Sequence, residues 1–247
     1  MKTRNIFIRS ICTFNAFFHL FFSIVIVGSV FLIFRWLKII NDKMALEIVS
    51  FWGRWIATSA CIKVNVIERS KLDPNKQYIL MMNHQSMLDI PVTLGYLPIR
   101  FVMIAKKELF SIPIFGQILK AINYIPIDRE NTKNALEALK QTAKIIKEKK
   151  FSVGIYPEGT RTKTGQLSRF KKGGFVIAKE ENIPIVPITI KGNFEILPKG
   201  KLFPNMIGEV DLIIWEEVDV KDKEVEDLIN IVYNRIEQGL KEGDKND

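Results

Sequence analysis

YILMMNHQSMLD, residues 78–89, decides how this chain is read. Five residues, 78–82, form an apolar run that ends abruptly in a polar turn carrying Asn83, His84 and, five positions after the histidine, Asp89. A short apolar run bounded by turn residues reads as a buried strand. His84 is one of two histidines in 247 residues. On a continuous helix His84 and Asp89 would point about 140° apart. They meet only if His84 sits on the turn and Asp89 in the first turn of a following helix. Ser86 is a good N-cap, and Asp89 three positions on has capping-box spacing. Two readings of Asp89 are open at this point. It caps the helix, or it accepts from one ring nitrogen of His84 and leaves the other as a base.

Downstream the same grammar repeats. From about Lys63 onward, short apolar runs rich in β-branched residues alternate with helical periodicity. The clearest predicted strands are 78–82, 100–104, 124–127, 151–156, 185–190 and 209–215. Predicted helices cover 134–149 and 174–181. Another carries Val225, Leu228, Ile229, Val232, Ile236 and Leu240 at spacings of three and four, a stripe suited to packing on a sheet. The tail 241–247 reads as frayed. Alternation of this kind predicts an α/β fold, a mostly parallel central sheet flanked by helices. In such sheets the loops leaving the carboxyl ends of strands gather on one edge, and ligands bind there. Strand 78–82 would then deliver Asn83, His84 and Asp89 to that edge. Strand 124–127 would deliver Asp128 and Arg129, and strand 151–156 would deliver Glu158, Thr160 and Arg161.

Upstream, residues 11–34 are overwhelmingly apolar and long enough to cross a bilayer, which takes roughly 20 residues. No small-residue cleavage site follows, so the segment does not read as a removable signal. Lys2, Arg4 and Arg9 precede it, and Arg35, Lys38 and Lys43 follow it. Positive charge on both flanks suits a segment whose two ends stay near one anionic surface. A second stretch, 44–62, is amphipathic, with Glu47 and Arg54 seven residues apart and Trp52 and Trp55 among its apolar residues. Together they predict a helical hairpin embedded in one leaflet (residues 1–62, against 63–247 for the α/β domain), with a single span as the competing reading. Trp36, Trp52 and Trp55 suit headgroup depth. His19, inside the apolar segment, reads as a packing histidine with a local hydrogen-bond partner.

The bulk numbers agree with a membrane-surface protein. Hydrophobic residues make up 47% and charged residues 26%, which excludes a disordered chain. A net charge of +9 favours an acidic partner: nucleic acid, an anionic membrane, or a phosphorylated substrate. Cys12 and Cys61 lie far apart in apolar surroundings, which predicts no disulfide framework and a reducing compartment.

Chemically, a His–Asp pair without a protein nucleophile deprotonates a substrate hydroxyl directly. No GxSxG elbow is present, and Ser86 reads as a cap before it reads as a nucleophile. Arg129 and Arg161 suit a phosphate, because guanidinium binds its oxygens bidentately and stays charged. For each arginine alone, a surface ion pair is the blander reading. Glu158, Gly159 and Thr160 read as a tight turn whose acid holds a substrate hydroxyl or an arginine. The basic stretch 161–172 is a solvated face or a grip for anionic headgroups or an acidic carrier.

Taken together, the motifs resemble the glycerolipid acyltransferases, specifically the bacterial 1-acyl-sn-glycerol-3-phosphate acyltransferases of the PlsC type. NHQSMLD looks like that family's Asn-His-x-x-x-x-Asp block, and YIPIDR, 124–129, is similar to its second. YPEGTR, 156–161, resembles its third, with Tyr156 in place of the usual Phe, and IPIVPITI, 183–190, its fourth. AKKELFSIPIFG, 105–116, also matches a segment common in the family. The resemblance implies that His84 is the general base on the 2-hydroxyl of lysophosphatidic acid and that Asp89 orients it. Acyl-CoA or acyl-carrier protein would be the donor, with no covalent enzyme intermediate. Arg129, Glu158, Gly159, Thr160 and Arg161 would bind the acceptor, with Lys106 or Lys107 a further phosphate ligand. It implies no metal or organic cofactor, membrane phospholipids as surroundings, no nucleic acid partner, and a place on the cytoplasmic face of the inner membrane. Rival readings are an acyltransferase for another lysophospholipid or for glycerol 3-phosphate, a membrane-surface binding protein without turnover, and an esterase using Ser86.

Overall fold

The computed structural model describes residues 6–128, 132–201, 204 and 207–242. The chain opens with helix α1, Ile6–Phe22, which continues through one π-helical turn, Ser23–Val27, into α2, Gly28–Trp36. A short connection leads to α3, Asp42–Ser59, whose N-cap Asn41 accepts the Met44 N–H at 2.9 Å. These helices form a hairpin. Its outer face is apolar and bare: Phe7, Phe14, Phe21 and Phe51 are each at least 70% exposed. Ser10–Trp36 is the one helical stretch among the described residues long and apolar enough to cross a membrane.

Inside the hairpin the two cysteines meet. Cys12 and Cys61 form a disulfide with their Cα atoms 5.8 Å apart. That corrects the expectation of no disulfide and removes the basis of the reducing-compartment reading, because antiparallel packing of α1 on α3 cancels the sequence distance. His19 stacks edge-on against Trp55 at 5.3 Å, as a packing histidine should, but its buried Nδ1 lacks the expected local partner. Trp36 is exposed, whereas Trp52 is half-buried and donates to Ser23 Oγ at 3.0 Å.

The remaining elements bear out the α/β reading. They are β1 Lys63–Glu68, β2 Ile79–Met82, α4 Asp89–Tyr96, β3 Phe101–Lys106, α5 Phe115–Ala121 and β4 Ile125–Ile127, then α6 Thr132–Lys149, β5 Ser152–Ile155, α7 Gly173–Glu180 and β6 Ile185–Lys191, and last α8 Asn193–Ile196, β7 Glu209–Ile214 and α9 Val225–Lys241. Among the described residues seven strands form one sheet in the order β1-β7-β6-β2-β5-β3-β4. The five strands from β6 to β4 are mutually parallel, and β7 turns back antiparallel to β6 with β1 parallel beside it. β2, β5 and β6 are buried along nearly their whole length, as central parallel strands are. β1 is the strand that sequence patterning misses. It lies at an edge, largely exposed, and its KVNVIE mixes charge with apolar residues. The expected frayed tail, beyond Glu242, lies outside the described residues.

The hairpin is locked to the sheet domain through two glycines. A Cβ on Gly53 of α3 would lie 2.6 Å from Gly95 N, and one on Gly95 of α4 would lie 2.5 Å from Arg54 N. Backbones approach this closely only where neither residue has a side chain. Arg54 Nε donates to Gly95 O across the contact, and Glu47 pairs with Arg100 at 2.9 Å. The two charges that look stranded in an apolar stretch therefore both face the α/β domain. An apolar cavity lies along this junction, lined by Val27, Phe31, Trp52, Leu94, Phe115 and Tyr124 among others.

Candidate active site

β2 ends at Met82, and Asn83 continues its pairing with a side chain. Asn83 Oδ1 accepts Ile190 N at 2.7 Å and Nδ2 donates to Ile190 O at 2.8 Å, so the amide extends the ladder to β6 and fixes where the turn begins. The next residue is His84. Its Nδ1 lies 2.8 Å from Asp89 Oδ2. A carboxylate has no hydrogen to give, so Nδ1 donates and Nε2 is left as the basic nitrogen. The histidine side chain keeps 12% exposure and the aspartate none.

Asp89 both closes the turn and pairs with the histidine. Oδ2 accepts from Gln85 N at 2.7 Å and Ser86 N at 2.8 Å besides His84, and Oδ1 accepts from Asn193 Nδ2 at 2.8 Å. One oxygen thus serves the turn and the histidine together. The expectation that Ser86 caps α4 is corrected: Ser86 Oγ accepts Leu88 N within the turn and donates to Leu197 O at 2.7 Å, and α4 starts at Asp89 with no side-chain cap.

The YPEGTR turn faces this one. Ile79 pairs with Val153, an offset of 153 − 79 = 74, and carried up the strands the same offset sets Glu158 opposite His84. Glu158 Oε1 accepts His84 N at 2.8 Å, and Oε2 accepts Ser168 N at 3.0 Å. Thr162 N donates back to His84 O at 2.9 Å. Glu158 is buried, and burial raises its carboxyl above the usual range while the His84 and Ser168 amides pull it back. Both of its oxygens are engaged by backbone, so it clamps the histidine turn; its expected arginine is not the group it holds. Gly159 closes its own turn by donating to Tyr156 O at 2.9 Å. Thr160 is exposed, with Oγ1 accepting Lys199 Nζ, and Arg161 is half-exposed.

Tyr156 lies under the histidine. The two rings stack with centroids 4.1 Å apart and planes 18° from parallel. The tyrosine hydroxyl is 3.4 Å from Thr93 Oγ1, and burial together with the Asp89 charge holds its proton on well above the usual range. Tyr156, Asn193 and Lys199 were not expected from the sequence. For Tyr156 the usable signal was its place directly before the proline of the turn.

The basic residues spread along the rim. β4 ends three strands from β2, roughly 14 Å away at ordinary strand spacing. Arg129, expected next to it, lies outside the described residues. Lys106 ends β3, exposed, and lies 3.5 Å from Glu108, while Lys107 pairs with Asp128. The dyad and YPEGTR turns are joined by hydrogen bonds, while Lys106 ends β3, the strand beside β5, and Lys107 follows it in the next turn.

A part-buried histidine paired with a carboxylate thus sits on the open rim of the parallel sheet, inside the stretch that comparison with known proteins covers. The acyltransferase family model matches residues 63–191. This chain belongs to the acyltransferase family. It is 42% identical over 118 residues to a 1-acyl-sn-glycerol-3-phosphate acyltransferase of Cocos nucifera, covering 48% of this chain and 38% of that one. Against the Chlamydomonas reinhardtii acyltransferase of the same name it is 32% identical over 173 residues, 70% of this chain and 52% of the other. The chain thus spans about half or less of the length of the curated relatives it matches. A crystal structure of the 1-acyl-sn-glycerophosphate (LPA) acyltransferase PlsC from Thermotoga maritima superposes with a TM-score of 0.83 at 26% identity, covering 97% of this chain and 98% of that one. The family's domain contains both turns and β6, and all of the dyad.

Proposed function

We propose that this chain transfers a fatty acyl group from acyl-CoA or acyl-carrier protein to the 2-hydroxyl of lysophosphatidic acid, giving phosphatidic acid. The observation that carries the reading is the 2.8 Å contact of His84 Nδ1 with Asp89 on a rim that also carries Arg161. His84 Nε2 takes the hydroxyl proton as the oxygen attacks the thioester carbonyl. Asp89 stabilises the imidazolium. The carbon–sulfur bond then breaks, and the thiolate leaves with the proton that the imidazolium returns. A thioester is already activated, so the step as written calls on no metal or organic cofactor. Positioned base catalysis supplies about 10²–10⁴-fold, and orientation and oxyanion stabilisation supply the rest.

Arg161, Arg129 and Lys106 are the proposed ligands of the acceptor phosphate, with Thr160 and Gly159 shaping the turn beside it. Glu158 acts on the acceptor by holding His84 in place. The apolar cavity along the hairpin junction suits an acyl chain, since Leu94 on its wall belongs to the same helix as Asp89. Acceptor and product are lipids, which gives the apolar outer face of the hairpin its purpose: it seats in one leaflet among membrane phospholipids, with the site proposed to face the cytoplasm at the inner membrane. The names of the relatives support this substrate class.

The test is a panel of acceptors given to the purified protein with radiolabelled acyl-CoA. Lysophosphatidic acid should be preferred, with His84→Ala inactive. Preference for a choline-headgroup lysolipid or for glycerol 3-phosphate would sink the assignment.

A further inference from the structure

β6 runs parallel to β2, so its carboxyl end opens on the same rim as the two turns. The chain leaves β6 through Gly192 at φ 101°, a left-handed position where a Cβ would also lie 2.4 Å from Glu209 O. That tight exit places Asn193 at the start of α8 beneath the dyad. Asn193 is fully buried, and its Nδ2 donates to Asp89 Oδ1 at 2.8 Å. Its own Oδ1 is buried without a partner. Folds avoid leaving a buried carbonyl bare. Charge explains this one: with the amide turned over, the carbonyl oxygen would face the Asp89 carboxylate. The same segment grips both turns again. Leu197 O accepts Ser86 Oγ at 2.7 Å, and Lys199 Nζ reaches Thr160 Oγ1 and Arg161 O at 3.0 Å each.

We propose that Asn193 is a positioning residue for the His84–Asp89 pair. Asp89 Oδ2 receives three donors, and Asn193 is the one donor observed on Oδ1 among the described residues. Holding Oδ1 fixes the plane of the carboxylate. That keeps Oδ2 facing Nδ1 and keeps the imidazole in the tautomer with its hydrogen on Nδ1. The consequence for rate rests on the acyltransferase reading above; the consequence for the tautomer does not.

Two substitutions test it in the full-length protein. Asn193→Ala removes the donor without adding charge, and Asn193→Leu keeps most of the volume while removing every polar atom. Each should lower kcat about 10²-fold, the scale of a misplaced catalytic group. The acceptor KM should stay within about twofold, because no ground-state contact is lost. Nitrogen-15 spectra of histidine-labelled protein contain signals from His19 and His84 alone. The His84 pair should change from the Nδ1–H form in the unsubstituted protein to a mixture of tautomers in either variant. A folded variant with unchanged kcat overturns the proposal. So does a loss of kcat with the tautomer unchanged, which would make Asn193 a packing residue. Should Asn193→Ala fail to fold, Asn193→Leu is read by the same criteria. Absence of turnover in the unsubstituted protein with every acceptor would overturn the proposed function instead, and the spectra, which need no substrate, would still decide the role of Asn193.

Discussion

The turn after β2 and the turn after β5 leave neighbouring parallel strands, yet they are finished differently. In the first, every polar group from Asn83 to Asp89 is used internally: Asn83 on β6, Gln85 and Ser86 on Asp89, Asp89 on His84 and Asn193. Among the polar side chains of this turn only the histidine edge is left to solvent, beside the exposed apolar Met87. In the second, Glu158 is drawn inward onto the first turn, while Thr160 and Arg161 remain at the surface. One turn is preorganised and the other is half open. Reacting groups must be held in place before substrate arrives, whereas groups that bind a mobile lipid headgroup can close on it. Under the proposed function, chemistry belongs to the β2 turn and recognition to the outer half of the β5 turn.

The sharpest way to break that division is at the dyad. Asp89→Asn should lower kcat on the order of 10⁴-fold, the loss seen when a catalytic histidine's carboxylate partner becomes an amide. His84→Ala should be at least as damaging. The two positions should part in stability. Asp89→Ala strips the acceptor from two backbone amides and Asn193, each costing about 1–3 kcal/mol. Chemical denaturation should therefore show a clear drop for Asp89→Ala and little for His84→Ala; equal midpoints would deny Asp89 its structural half.

Glu158 tests the border between the two turns. Glu158→Ala should reduce kcat about 10²-fold by loosening His84, with a smaller change in acceptor KM. A pure KM effect in steady-state kinetics would return Glu158 to the acceptor. Arg161→Ala should do the reverse, raising acceptor KM about 10-fold for a lost charged hydrogen bond and sparing kcat. A normal KM would remove its phosphate role.

The smallest effect is in pH. Burial raises the Glu158 carboxyl, so the folded state holds that proton after the unfolded chain has released it. Stability from this group is full below the ordinary glutamate value of 4.5 and declines as pH rises through the raised folded value. Asp42 runs the other way. Burial pushes it up, but Lys149 and Arg35 outweigh burial and hold it below 3.8, so its contribution is present above that value and is lost as pH falls through the lower folded one. Melting temperature against pH should show a gentler decline above pH 4.5 in Glu158→Gln than in the unsubstituted protein. An identical slope would mean that Glu158 titrates normally.

What could be read in advance follows a physical line. Strand-and-helix alternation exposes the parallel core because β2, β5 and β6 are buried on both faces and carry unbroken apolar runs. From there the convergence of His84, Asp89, Glu158 and Arg161 on one rim needs topology alone. Three features depend on geometry that topology does not contain. β1 pairs on one side only, is largely exposed, and breaks its Val64–Val66 alternation with Glu68. Cys12 and Cys61 meet because of how two helices are set against each other. Asn193 resembles any polar residue opening a loop until the exit through Gly192 aims it at Asp89. Glu158 was visible as a site residue, but the direction of its side chain was not.

The contact of Gly53 with Gly95 bears on how this protein can be handled. Cutting away the first 62 residues to obtain a water-soluble fragment would leave the face of α4 around Gly95 as an open trough of bare backbone, six positions from Asp89. Apolar residues now covered by α2 and α3, such as Leu94 and Phe115, would meet water beside it. Such a fragment should precipitate, or survive only with its dyad helix displaced. A soluble version has to begin from a repacked outer face of α4, with the hairpin's inner surface rebuilt in polar-backed form and not deleted.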